Sequence, residues 1–127
     1  MATRPVVVSH GGVKATCGVN RNLSDRQLRK IASGGGLIGI GYWDAAVCDN
    51  SPAGIVDAID HVRTLVGIDH VALGSDFDGA VTTRFDTTGL VLLTQEMLDR
   101  DYTEAEIHAV MGGNAIRLLQ AFLPSKE

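Results

Sequence analysis

Gly36-Leu37-Ile38-Gly39-Ile40-Gly41-Tyr42 is apolar at nearly every position, and the fold turns on how this run is read. Alternating polar and apolar residues would mark a strand with one wet face. An unbroken apolar run marks a strand covered on both faces, as in parallel sheets. Two runs of the same kind flank it, Pro5-Val6-Val7-Val8-Ser9 before and His70-Val71-Ala72-Leu73-Gly74 after. The segments between them read as helices. Ser24-Asp25-Arg26-Gln27 is a capping box whose helix turns Leu28 and Ile31 inward and stops at Gly34-Gly35-Gly36. Ser51-Pro52 joins an N-cap to a proline at the first helical position, and Ile55, Val56, Ile59, Val62 and Val66 follow at helical spacing until Gly67. Strand, helix, strand, helix, strand with right-handed crossovers gives three parallel neighbouring strands.

Past the third strand, a polar loop runs from Asp76 to about Thr88, followed by a helix near Leu90–Arg100. Thr103-Glu104-Ala105-Glu106 is a second capping box. Its helix breaks at Gly112-Gly113, and Asn114 is read as the cap of the last helix, with Ile116, Leu118, Leu119 and Phe122 available to pack. There is no internal repeat, linker or low-complexity segment, so residues 1–127 form one unit. A (β/α)8 barrel takes about 250 residues and eight strands. The chain therefore reads as an α/β fold that is a partial TIM barrel, the last three β/α units plus C-terminal helices. A small open α/β sheet is the alternative. In either case two apolar strand edges are left to pair with something else.

Net charge is −4, with acidic and basic residues interspersed. A phosphate-binding surface would cluster Lys and Arg, so no nucleic acid partner is expected. No apolar stretch approaches the roughly 20 residues that cross a bilayer. Val6-Val7-Val8 is too short for a secretory signal, so the default expectation is a cytoplasmic chain. Cys17 and Cys48 lack CxxC or zinc-finger spacing. In a cytosolic protein they read as two reduced thiols. Both also follow predicted strands on the same side of the fold, where a disulfide is geometrically conceivable.

In a barrel of this type the chemistry gathers at the C-terminal ends of strands. His10 follows the first strand and Asp76 the third. An imidazole offers a neutral nitrogen ligand to a metal, and a carboxylate can hold or deprotonate a water. Tyr42 and Trp43 end the middle strand at the level of a substrate, where lining a pocket and plain packing are both open. His61 and His70 read as structural, His108 and Asp44 as solvated, and Asp78 as a turn former beside Gly79.

Val8-Ser9-His10-Gly11-Gly12, Cys17 and Arg21-Asn22-Leu23-Ser24-Asp25 resemble the segment of the membrane (renal) dipeptidase family that begins S-H-S and continues to R-N-x-x-D. Gly34 to Ile40 looks like the strand that follows it. Asp60-His61-Val62 and Val66-Gly67-Ile68-Asp69-His70-Val71 through Gly74-Ser75-Asp76-Phe77-Asp78-Gly79 are similar to D-H-I…V-G-I-D-H-V-G-I-G-S-D-F-D-G. Gly112-Gly113-Asn114 with Arg117 matches G-G-N-x-x-R. The resemblance runs through essentially the whole chain in order and spacing.

It implies a zinc-dependent dipeptidase of the amidohydrolase type. His10 would be a metal ligand of a two-zinc centre. Asp76, at the end of the eighth strand, would act as base and pass the proton to the leaving amine. Arg21 would grip the terminal carboxylate of a dipeptide substrate, for which its planar fork is suited. Cys17 and Cys48 fall where extracellular relatives form a disulfide. Gly11 stands where the motif has its second serine, which bears on substrate preference. The family's first-strand H-x-D pair, its bridging glutamate and its other bridging histidine have no counterpart here. The chain alone is thus expected neither to hold zinc tightly nor to hydrolyse peptides, and its expected partner is the missing N-terminal half-barrel or another copy of itself. Two other functions fit the same pattern: a non-catalytic half-barrel that assembles through its strand edges, and an amidohydrolase acting on lactones or other amides.

Overall fold

The structure, a computed structural model describing residues 2–124, contains three parallel strands: β1 (Val7–Gly11), β2 (Leu37–Ile40) and β3 (Val71–Leu73), side by side in that order. Val8 pairs with Ile38, and Ile38 with Val71. β2 is buried along its whole length, as its unbroken apolarity requires. β1 departs from expectation. It starts and ends two residues later than the apolar run, and Val7 is 52% exposed. It is an edge strand, and no described element covers its outer flank, so apolar composition alone did not bury it. Its register with β2 also breaks between Val8 and Gly11. Ser9 and His10 form a bulge there, which bends a strand and re-aims its side chains.

The helices are α1 (Asp25–Ser33), α2 (Asp44–Val47), α3 (Pro52–Val66), α4 (Leu90–Asp99), α5 (Glu104–His108) and α6 (Asn114–Phe122). Both capping boxes form. The Ser51 hydroxyl accepts from Gly54 N–H at 3.2 Å, opening α3 behind Pro52. From α3, Ile55, Val56, Ile59 and Val62 are fully buried with Leu28 of α1 and Leu93 and Met97 of α4. Each such side chain contributes about 1.5–3 kcal/mol relative to exposure, so α3 is the main anchor of the sheet. Asp44, expected in a loop, begins α2 instead, where its Oδ1 accepts from Ala45 N–H.

Charged residues tie the outer layer together. Arg100 donates to Asp57, Asp60 and Glu96, linking α4 to α3. Arg63 donates to Glu106, linking α3 to α5, and stacks over Tyr102, whose hydroxyl donates to Asp60. His61 Nε2 meets Asp25 of α1 at 2.8 Å. His70 sits in the turn before β3, with Nδ1 2.9 Å from the Gly36 carbonyl oxygen. Both are structural histidines.

Asn114 does not cap α6. It is buried, and its Nδ2 donates to the carbonyls of Ile68 (2.7 Å) and Val71 (2.8 Å), fastening the last helix to the start of β3. The chain between α5 and α6 continues through a kinked turn at Ala109–Gly113, with Gly112 at φ 150°. That turn delivers Asn114 to the sheet and leaves the N-cap position to Gly113.

Candidate catalytic rim at the strand ends

His10 lies in the β1 bulge. The bulge crosses in front of its neighbours because two glycines leave room for it. A Cβ on Gly39 of β2 would stand 2.4 Å from the Ser9 carbonyl oxygen. One on Gly74, after β3, would stand 2.3 Å from the same oxygen and 2.9 Å from the His10 Cα. His10 is thereby held against the C-terminal end of β3, two residues ahead of Asp76. Its ring is exposed, and Ser9 Oγ and His10 Nδ1 share a hydrogen bond of 2.9 Å. In the tautomer where Nδ1–H donates, Nε2 keeps the lone pair a metal requires.

Asp76 takes a left-handed backbone, φ 62°, a conformation aspartate tolerates better than most residues. Its carbonyl accepts from Gly79 N–H at 3.0 Å, closing a turn directly after β3. His10 and Asp76 therefore occupy the same end of one parallel sheet.

Arg21 and Trp43 complete the rim. The segment after β1 folds back on itself through the Val13–Leu23 bridge and is tied to α2 twice. Asn22, buried, donates through Nδ2 to the carbonyls of Cys17 (2.9 Å) and Ala46 (2.7 Å). Cys17 and Cys48 are joined by a disulfide with Cα atoms 5.3 Å apart. The alternative of two reduced thiols is not the state found. Asn22 stands in the R-N-x-x-D motif, but the sequence assigns it no role, because one of the two carbonyls it holds lies 24 positions away. Trp43 lies over Gly41, whose missing side chain makes way for the ring, and it meets both the His10 ring (centroids 5.8 Å apart) and the Arg21 guanidinium. Its backbone pairs with Thr83, and Arg84 Nε donates to Asn50 Oδ1, so the segment after Asp76 is held to the same side.

For Tyr42, where lining a pocket and plain packing were both open, the structure shows packing. Consecutive residues of an extended chain point to opposite faces, and Tyr42 is 1% exposed, packed against Phe77 and Phe85. Burial raises its hydroxyl pKa well above the usual tyrosine value. It is a core residue. Asp78 is exposed, and so is His108.

A hollow of about 240 Å³ lies at the opposite end of the sheet, among Arg4, Val6, Lys30 and Ile31, far from His10 and Asp76 in the fold. Among the described residues no three His, Cys, Asp or Glu side chains converge on a point that could hold a metal ion.

The model of the membrane dipeptidase family, peptidase family M19, matches residues 1–125. Dipeptidase aclJ of Aspergillus oryzae is 35% identical over 91% of this chain, which spans 29% of that protein. An uncharacterized protein in the pqqA 5′ region of Klebsiella pneumoniae is 34% identical over 94% of the chain, which covers 47% of it. The chain thus spans less than half the length of these relatives. Among solved structures, a metallopeptidase of Rhodobacter sphaeroides, crystallised with a phosphinate mimic of the dipeptide L-Ala-D-Ala, superposes with a TM-score of 0.85 at 30% identity. That match takes in 94% of this chain and 36% of the other.

Proposed function

The chain belongs to the membrane dipeptidase family, peptidase family M19, and from that premise we propose that it carries one sector of the catalytic rim of a zinc-dependent dipeptidase. The observation that supports this most is the shared rim. His10 is seated against Gly74, so an imidazole and the Asp76 carboxylate stand at one end of a parallel sheet, where (β/α)8 enzymes do their chemistry. The sheet would be the last three strands of such a barrel.

A catalytic zinc takes three protein ligands and a water, and these residues supply one, His10. They fit a share of a metal centre and not the whole, so the chain by itself is expected to bind zinc weakly and to leave peptides intact. Zinc held by the complete barrel would supply Lewis acidity and an acidified water. This chain's own contributions are three. His10 Nε2 offers a ligand nitrogen while Ser9 fixes its ring. Asp76 accepts a proton from the attacking water and returns it to the leaving amine. Arg21, steadied on Trp43, binds the substrate carboxylate with two parallel N–H donors.

The test joins this chain to the N-terminal half of a relative and assays L-Ala-D-Ala and other dipeptides with added zinc. Hydrolysis should appear and should fall about 10²- to 10⁴-fold in Asp76→Asn, the usual contribution of a general base. A folded, zinc-loaded barrel that leaves dipeptides untouched would overturn the proposal.

One observation favours a second reading, assembly without catalysis. Val6 and Val7 are 44% and 52% exposed on the β1 edge, and Ile116, Leu119 and Phe122 are exposed on α6. An open apolar edge pairs readily with another chain. Light scattering of the isolated chain addresses this: a stable dimer supports it, and a monomer at high concentration removes it.

A further inference from the structure

We propose that Gly79 is a positioning residue for Asp76, its missing side chain forming the seat that holds the carboxylate. The role in catalysis rests on the dipeptidase reading; the seat itself does not. Glycines in turns are ordinarily there for their backbone freedom, and Gly79 is not. Its φ lies outside the left-handed region, which in this loop is occupied by Asp76 instead. Any residue could adopt the Gly79 backbone. What a side chain would meet is the Asp76 carboxylate. A Cβ at this position would stand 2.5 Å from Oδ1, 2.6 Å from Cγ and 2.7 Å from Oδ2, and these three atoms are its nearest neighbours. The carboxylate occupies the volume that any other residue at position 79 would fill. The Gly79 N–H donates to the Asp76 carbonyl, so the turn that builds the seat begins at the residue it holds.

Gly39 and Gly74 differ from it. There a Cβ would strike the Ser9 carbonyl oxygen of the backbone, which cannot move without shifting a strand. At Gly79 the obstacle is the end of a side chain, which escapes by turning χ1 to another staggered well. Gly79→Ala should therefore displace the Asp76 carboxylate while leaving the fold in place.

The experiment measures the Asp76 χ1 rotamer in the 127-residue chain from the three-bond couplings of Cγ to the backbone nitrogen and carbonyl carbon, in wild type and Gly79→Ala. The expected result is a change of rotamer class, with amide shifts confined to the neighbourhood of residues 75–83 and an unchanged denaturation midpoint. Couplings identical to wild type would overturn the proposal. If Gly79→Ala proves unstable, the same substitution is made in Asp76→Ala, which lacks the three atoms in question. Recovery of stability there supports the seat, and equal loss in both backgrounds overturns it. In the completed barrel, a rotated Asp76 should lower kcat about tenfold or more with little change in KM. A rotated Asp76 with full kcat would confirm the seat and remove Asp76 from the chemistry, which separates failure of the dipeptidase reading from failure of this one.

Discussion

The guanidinium of Arg21 lies over the ring of Trp43, with Cζ 4.8 Å from the ring centroid. A cation held against an aromatic face is favoured by about 0.5–1 kcal/mol when exposed, enough to bias a long, solvent-facing side chain toward one orientation. Trp43 is the sole tryptophan of the chain and is 5% exposed. Its fluorescence is therefore a private reporter of the rim.

Arg21→Ala should uncover one face of that ring and shift its emission to the red, and Arg21→Lys should shift it less. In the completed barrel Arg21→Ala should raise KM for dipeptides about 10- to 100-fold, since hydrogen bonds to a charged group contribute about 1.5–3 kcal/mol. Steady-state kinetics check this, and an unchanged KM would remove Arg21 from carboxylate binding.

Removing the Cys17–Cys48 bond should lower stability substantially. It spans 31 positions, and closing a loop of that size restricts the unfolded chain by about 3–4 kcal/mol in the chain-entropy model. The double variant Cys17→Ser/Cys48→Ser should thus unfold at clearly lower urea than wild type. Such bonds persist in oxidising compartments, so the redox state of this pair in the cell is a test of the expectation that the chain is cytoplasmic. Thiol titration of denatured, unreduced protein from its native host is the direct measurement: two free thiols would support that expectation, and none would count against it.

Acid should weaken the contact between α3 and α5. The bond from Thr103 N–H, then those from Arg63, hold the Glu106 carboxyl below its ordinary 4.5. A carboxylate with a lowered folded value favours the native state fully above its unfolded value. That contribution fades as pH falls through the lowered one. Thermal melts of wild type and Glu106→Gln should differ most at neutral pH and converge once pH has fallen through the lowered value, where both side chains are neutral.

Asn114→Ala should be among the most damaging single changes. It would leave the carbonyls of Ile68 and Val71 without the donor they now share, and an unsatisfied buried polar group costs about 1–3 kcal/mol. Asn114→Asp should be no better, because it presents oxygen to oxygen. Urea unfolding measures both.

Much of this fold could be read from local pattern. The apolar runs around Ile38 and Ala72 marked strands, and Ser24, Ser51 and Thr103 marked where helices begin, because those signals depend on neighbours a few residues away. The misreadings were long-range. β1 carries a bulge for which Gly39 of β2 and Gly74 after β3 leave room by lacking side chains. Asn114 has the composition of a cap but answers to carbonyls 43 and 46 positions earlier. Tyr42 and Trp43 were grouped together, although an extended backbone sends them to opposite faces. For the candidate rim, His10 and Asp76 stood out by their places after strands, and Arg21 through a family motif. The parts that hold them still, Asn22, Gly41 and Gly79, did not, since two of these three act by what they lack.

The double tie between the segment after β1 and α2 makes two crossover connections behave as one. In an open α/β sheet such connections would ordinarily fray independently, each with its own small opening free energy. Here Cys17 is bonded to Cys48, and Asn22 grips both Cys17 and Ala46. Neither connection can unravel alone, and amide hydrogens on the two should exchange with solvent at a common, slow pace. The C-terminal end of the sheet would then be its most protected loop region, the reverse of the usual gradient from rigid core to restless surface.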